Sequence, residues 1–221
     1  MTEKFAAIIL AAGNSTRMGT CKQLLPVEGV PMLDRCIHLM QACLIHDIIV
    51  VVRDSHEAVI QRVRNINALP VNNPDSRNQD MFSSVMAGTS ALPSSATAFF
   101  VLPCDIPLIK PQTINILKEC WVRSGKNFSG VLKPMYRGRS GHPPLIHRDH
   151  IFKMNTWNGQ GGLGGYFREL TAYGLDKVIN VQVNDPGIMF DMDTPKDLDR
   201  AKDYIDVEKN FILQADELRG L

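Results

Sequence analysis

Phe5-Ala6-Ala7-Ile8-Ile9-Leu10-Ala11-Ala12-Gly13-Asn14-Ser15-Thr16-Arg17-Met18-Gly19, followed by Lys22 and by Leu24-Leu25-Pro26, is the stretch that decides the architecture. Its opening apolar run, Phe5 to Leu10, is too short for a helix and reads as a parallel strand buried on both faces. The run empties into small residues with an arginine and a lysine close behind. Gly13 and Gly19 allow a backbone to approach a ligand closely, exposed N–H groups in such a turn face phosphates, and Arg17 and Lys22 supply positive charge. Neither G-x-G-x-x-G nor G-x-x-x-x-G-K-[ST] can be placed here, which excludes the dinucleotide and Walker types of loop. The competing reading is a plain glycine turn with two solvated cations.

Outward from this strand, apolar runs alternate with helical patterns. Pro31 to Leu44 predicts a helix with Leu33, Ile37, Met40 and Leu44 on one face, and Ile48 to Val52 a second buried strand. His56 to Ile66 reads as a helix behind an Asp54-Ser55 cap, Leu69-Pro70-Val71 as a short strand, and Asn72 to Asp80 as a polar loop. Met81 to Leu92 is helical, Ala98 to Leu102 is a buried strand ending at Pro103-Cys104-Asp105, and Pro111 to Val122 is a further helix. Gly130 to Pro134 and Pro143 to Ile146 look like two strands of an inserted or mixed part of the sheet. Five glycines between Gly159 and Gly165 predict a mobile loop ahead of a helix near Tyr166 to Thr171. Val178 to Val181 is a late strand, and Asp191 to Tyr204 a turn followed by a helix. This rhythm predicts a three-layer, doubly wound, Rossmann-like α/β fold with a mainly parallel sheet and right-handed crossovers.

At 221 residues the chain fits one large domain better than two. That domain is expected over residues 1–204. Residues 205–221 read either as an amphipathic tail or as the start of a further segment. A net charge of +1 with mixed acids and bases speaks against nucleic acid as a partner. Five cysteines without a CxxC pair suit reduced thiols in a cytoplasmic protein better than a disulfide framework or a zinc site. The N-terminus offers neither a signal peptide nor a membrane span.

Ligands of an open α/β sheet collect at the carboxyl ends of its strands, and three motifs fall there. The opening loop is one. Leu102-Pro103-Cys104-Asp105-Ile106-Pro107 sets a carboxylate behind an apolar strand, where it is costly to bury unpaired, and a metal bridging nucleotide phosphates would compensate it. Phe190-Asp191-Met192-Asp193-Thr194-Pro195 presents two more acids. Magnesium takes one or two protein carboxylates and fills its other positions with phosphate oxygens and water, a demand that Asp105 and Asp193 meet, with Asp191 in reserve. Asp197 and Asp199 read as a solvated helix face. Strand-end capping by Asp105 and an ordinary Thr-Pro helix start are the alternatives.

Together these motifs resemble the glycosyltransferase-A-like nucleotidyltransferases, and within them the molybdopterin nucleotidyltransferase family, from Phe5 to about Lys202. Ala11-Ala12-Gly13 resembles the cytidylyl-transferring version of the loop, where guanylyl-transferring members usually carry Ala-Gly-Gly. Ser83-Ser84-Val85-Met86-Ala87-Gly88 resembles the family's Ser-Ser helix start near the nucleotide, and Gly141-His142-Pro143-Pro144 its Gly-His-Pro segment on the acceptor side. Asp80-Met81-Phe82 and Gly161-Gly162-Leu163-Gly164-Gly165 depart from the family's usual Gly-Met and Gly-Asp-x-Gly.

The resemblance implies a Mg2+-dependent transfer of CMP from CTP to the terminal phosphate of molybdopterin, with release of pyrophosphate and with Mn2+ as the alternative ion. Lys22, Arg17 and Asp105 are the implied catalytic residues. Leu10, Ala11, Ala12, Gly13, Arg17, Lys22, Ser83 and Ser84 would hold the nucleotide, His142 the acceptor, and Asp105 and Asp193 the metal. Ser83 and Ser84 read equally well as helix caps. Lys133, Arg137 and Arg139 read either as attraction for an anionic acceptor or as a solvated edge. A molybdenum hydroxylase or another recipient enzyme is the implied protein partner. The rival readings are transfer to a sugar or polyol phosphate, and a low-turnover carrier of nucleotide or pterin.

Overall fold

The computed structural model describes residues 3–13, 21–53, 56–73, 81–194 and 196–205. Arg17 with the rest of residues 14–20, the Asp54-Ser55 cap and the expected tail past residue 205 lie outside the described residues. In chain order come β1 (Phe5–Leu10), a small hairpin of β2 (Pro26–Val27) and β3 (Val30–Pro31), α1 (Met32–Ala42), β4 (Asp47–Val52), α2 (Glu57–Asn65) and β5 (Leu69–Asn72). There follow α3 (Met81–Thr89), β6 (Ala98–Pro103), α4 (Pro111–Arg123), β7 (Val131–Tyr136), β8 (Arg139–Ser140) and β9 (Leu145–His147). The remainder is α5 (His150–Thr156), α6 (Gly162–Ala172), β10 (Val178–Gln182), a 3-10 turn over Pro186–Met189 and a helix over 196–205.

β1 is the centre of the sheet, parallel to β4 on one side and β6 on the other. Its side chains alternate between two cores: Ala7 and Ile9 face one, Ala6, Ile8 and Leu10 the other. Ile8 and Ile9 are fully buried, each worth roughly 1.5–3 kcal/mol over exposure, so no position of the run tolerates a polar side chain cheaply. The order is β10-β7-β9-β6-β1-β4-β5, with β8 on the flank of β7. β9 runs antiparallel between β6 and β7, which makes the otherwise parallel path mixed. Leu33, Ile37 and Met40 of α1, Val59 and Val63 of α2, and Ile114 and Leu117 of α4 cover one face. Phe82 and Val85 of α3, Met154 of α5, and Tyr166, Phe167 and Leu170 of α6 cover the other. The three layers expected from the sequence are therefore present. The chain winds outward from β1 to β5 and returns through α3 to β6, so strand order reverses at β1 and a crevice opens at the carboxyl ends of β1 and β6.

Leu44, expected on the buried face of the first helix, lies past the end of α1 and is 77% exposed. The β2–β3 hairpin and β8 are additions to the expected elements, and α5 and α6 depart from the expectation as well. α5 was not anticipated, because only His150 and Met154 of its seven residues are buried, with Ile151 partly so and the rest exposed. α6 begins at Gly162, inside the glycine run that reads as a loop. Close packing explains Gly165, where a Cβ would lie 2.0 Å from the Gln160 carbonyl oxygen, and positive φ explains Gly159, Gly161 and Gly162. Buried His150 then locks α5 to α6, with Nδ1 2.6 Å from the Tyr166 hydroxyl and Nε2 2.9 Å from the Ser129 carbonyl.

Asp185, 1% exposed, joins the end of β10 to the start of α4. Its carboxylate accepts from the Lys110 N–H (2.9 Å), the Thr113 hydroxyl (2.6 Å) and the Gly187 N–H (2.9 Å). Those bonds favour the ionised form, yet burial outweighs them and holds the carboxyl above its ordinary range. Asp185→Ala leaves buried donors unmet and is expected to cost about 1–3 kcal/mol in urea unfolding. Gly88→Ala drives a Cβ to 2.4 Å from Ile8 Cγ2, and overpacking of this kind is expected to cost about 1–3 kcal/mol in the same measurement.

Candidate active site

The loop after β1 and the turn after β6 are clamped together by backbone bonds. The Cys104 N–H donates to the Leu10 carbonyl (3.1 Å), and the Ala11 N–H to the Val51 carbonyl (2.8 Å). Asp105 thus emerges beside the opening loop at the reversal of strand order. A third segment is tied to the same place, because the Met192 N–H donates to the Asp105 carbonyl (2.9 Å). Met192 is pinned in a small apolar cluster with Val27, Met32, Leu108 and Ala201. The Asp197 carboxylate accepts from both the N–H and the hydroxyl of Thr194, each at 2.8 Å, at the start of the helix over 196–205. Asp197 is therefore a capping group, not the solvated face read from the sequence.

The result is a three-membered charge cluster. Lys22 Nζ lies 3.0 Å from Asp105 Oδ2 and 2.8 Å from Asp193 Oδ1. Burial alone would lower the Lys22 pKa, but its bonds to Asp193 and Asp105 prevail and raise it. The ammonium accordingly stays charged at neutral pH. Asp191 lies within electrostatic reach of this cluster. Burial and the charges of Asp105 and Asp193 raise its pKa. Among the described residues no group of three or more His, Cys, Asp or Glu could hold a metal. The hard oxygens of Asp105 and Asp193 nevertheless converge on one cation, the Lys22 ammonium, and a pair of carboxylates is what magnesium asks of a protein when phosphate supplies other ligands. Cys104, next to Asp105, is a free thiol whose pKa burial and the Asp105 charge push well up, which leaves it without nucleophilic character.

Two neutral amides shape the rest, and sequence reasoning missed both. Gln23, 3% exposed, donates through Nε2 to the carbonyls of Ala11 (2.9 Å) and Gly13 (3.1 Å). Because a trans peptide is planar, turning the Ala11 carbonyl toward Gln23 points the Ala12 N–H away from it. The Cys21 thiol donates to Gln23 Oε1 (3.0 Å) and so fixes which end of the amide faces the loop. Asn73, 2% exposed, donates through Nδ2 to Ser83 Oγ (3.1 Å) and Ser84 Oγ (2.9 Å), tying the start of α3 to the end of β5. The spacing of Gln23 directly behind Lys22 was the only available signal. Neutral amides carry no pattern of their own.

His142 stands where β8 leads to β9, its N–H donating to the Ile188 carbonyl (2.8 Å). Its ring is more enclosed than a loop position suggests, and Nδ1 is buried without a partner. Burial lowers its pKa against the opposing pull of Asp105 and of the Val101 carbonyl. Lys133 faces the same region from β7, with Nζ 5.6 Å from the Phe167 ring centroid. Arg137 and Arg139 sit apart from it, Arg137 on the β7–β8 turn and Arg139 at the start of β8. Arg137 stacks over Tyr136 at 5.2 Å, and Arg139 is exposed.

A chain of this fold has known relatives. Residues 7–175 match the model of the MobA-like NTP transferase domain. The chain belongs to that family. A MobA-like domain makes it a nucleotidyltransferase. The molybdenum cofactor cytidylyltransferase of Escherichia coli is 30% identical over 204 residues, covering 89% of this chain and 94% of that protein. A probable molybdenum cofactor guanylyltransferase of Bacillus cereus is 27% identical over 149 residues, 66% of this chain and 68% of the relative. A Mycobacterium tuberculosis protein solved in complex with manganese superposes with a TM-score of 0.67 at 20% identity, covering 90% of this chain and 97% of its own. No helix among the described residues of this MobA-like chain is long and apolar enough to cross a membrane.

Burial lowers the pKa of both His142 and His150, so each is neutral at pH 7. NMR titration is expected to place both imidazole midpoints below the ordinary value of about 6.5. The unfolded chain then binds more protons than the native one as pH falls through that value, so these histidines lose stability on acidification.

Proposed function

We propose that the protein transfers CMP from CTP to the terminal phosphate of a molybdopterin-type acceptor, releasing pyrophosphate. The observation that carries this reading is the meeting of Lys22, Asp105 and Asp193 on one crevice wall from positions far apart in the chain. A carrier that only held nucleotide or pterin has no need of such a cluster. The similarity to a named cytidylyltransferase over 89% of the chain supports CTP, as does Ala11-Ala12-Gly13 in the opening loop.

In the proposed reaction an ionised oxygen of the acceptor phosphate attacks the α-phosphorus of CTP. One P–O bond forms, the bond between the α-phosphorus and its bridging oxygen breaks, and pyrophosphate carries away the electron pair. No proton has to be removed from the nucleophile, so positioning and charge stabilisation suffice. Lys22 donates to the phosphate oxygens where charge accumulates, and Arg17 holds the departing phosphates. Asp105 and Asp193 would hold Mg2+, which supplies charge neutralisation at the phosphates when bound. The backbone from Leu10 to Gly13 meets the base edge, held in shape by Gln23. Ser83 and Ser84 sit at the start of α3 as further nucleotide contacts, their hydroxyls oriented by Asn73. His142 contacts the acceptor, its buried, unpartnered Nδ1 being the kind of group a ligand completes.

Pyrophosphate release is measured with each of the four nucleoside triphosphates, with and without molybdopterin and with Mg2+ present or chelated. CTP- and metal-dependent release only when molybdopterin is present is the expected result. A preference for GTP, or turnover with a sugar phosphate in place of the pterin, overturns the assignment. Lys22→Ala and Asp105→Ala are each expected to lower kcat by at least about 100-fold with the fold intact by circular dichroism.

A further inference from the structure

The opening loop owes its shape to a side chain outside it. The Ala11 N–H donates to the Val51 carbonyl (2.8 Å), and the Ala11 carbonyl accepts from Gln23 Nε2 (2.9 Å). Both backbone groups of Ala11 are therefore pinned, one to β4 and one to the turn that carries Lys22. The same Nε2 also donates to the Gly13 carbonyl (3.1 Å). A carbonyl can be met only by a donor, so the amino end of the amide has to face the loop. The Cys21 thiol holds the other end, donating to Oε1 (3.0 Å). Ala11 is fully buried and Gln23 is 3% exposed, so the Ala11 carbonyl takes its donor from this side chain in place of water.

What the loop offers a ligand follows from that capture. In a trans peptide the N–H lies opposite the carbonyl, so the Ala12 N–H points away from Gln23. Among the described residues that N–H meets no acceptor, and a Cβ on Gly13 would meet no atom within 4 Å. The outer side of the loop is thus open and presents a donor. Were the Ala11–Ala12 peptide to flip, a carbonyl would stand in its place. The two arrangements suit different bases. An outward N–H complements the unprotonated N3 of cytosine, whereas uracil carries hydrogen on that atom and would set donor against donor. A site whose polar group has a fixed sense rejects the base that leaves it unpaired.

We propose that Gln23 is the positioning residue that sets base preference, by holding the Ala11–Ala12 peptide with its N–H toward the nucleotide. This role rests on the nucleotidyl-transfer reading in taking the loop to meet the base. Gln23 acts through the loop and not on the nucleotide itself. One short turn, Lys22–Leu24, then serves both ends of the nucleotide: Lys22 faces Asp105 and Asp193, and Gln23 faces the loop.

Calorimetric titration of the full chain with CTP, UTP and tripolyphosphate, in the presence of Mg2+, reads this role without turnover. Gln23→Met keeps the length of the side chain and removes the donor, while Gln23→Glu also keeps the acceptor for Cys21. In both, the preference for CTP over UTP is expected to fall by about 10-fold, the loss of one oriented hydrogen bond, with tripolyphosphate affinity within about two-fold of the original. A preference that persists in both variants overturns the role. So does a parallel fall in tripolyphosphate affinity, which would mean that the whole phosphate site had collapsed. Hydrogen exchange needs no variant: CTP is expected to slow exchange at the Ala12 amide by at least about 10-fold, and tripolyphosphate to leave it unchanged. An Ala12 amide that CTP does not protect overturns the role as well. A wild-type chain that prefers GTP would remove the cytidylyl assignment and leave Gln23 to be judged by the fall of that preference in its variants. An unchanged preference would remove the role of Gln23 and leave the transferase reading intact.

Discussion

One ammonium shared by two carboxylates is the constraint around which the functional end of this fold is organised. Lys22 reaches Asp105 across a separation of 83 residues and Asp193 across 171. Neither contact arises from local structure. Each needs the parallel register of β1 and β6 and the backbone bond from Met192 to Asp105. Loss of either would take the carboxylates away from the ammonium they share.

Among the described residues the centre of the crevice is acidic, with the carboxylates of Asp105, Asp191 and Asp193 around the single Lys22 ammonium. The arginines of the β7–β8 hairpin lie exposed and apart from it.

Much of this was legible before any coordinates. β1, β4 and β6 are apolar on both faces, and such runs admit hardly any other reading. Asp105 was legible because a charge at the end of an apolar strand is costly unless it has a purpose, and Asp193 as one of two acids spaced one residue apart ahead of a Thr-Pro helix start. The hidden features are those where packing or neutral hydrogen bonding overrides pattern. α5 has too few buried residues to show a period. The glycines before Tyr166 read as flexibility, yet Gly165 serves close approach to Gln160 and Trp157, and Gly159, Gly161 and Gly162 take positive φ. Gln23 and Asn73 hold backbone and hydroxyl groups through amides, which differ from surface amides only in where they end up. Lys133 was read together with Arg137 and Arg139, and only the fold separates the enclosed cation from the exposed ones.

The cap that Thr194 and Asp197 form on the last described helix bears on how the protein is made. Domains emerge from the ribosome N-terminal end first. The central strands and Lys22 are therefore available long before Asp193, whose position depends on that cap and on Met192 and Ala201 closing their apolar cluster. A nascent chain that has already built its sheet still holds an incomplete charge cluster. Closure of the charge cluster therefore comes after the central strands are in place, with the docking of the segment from Met192 to Ala201.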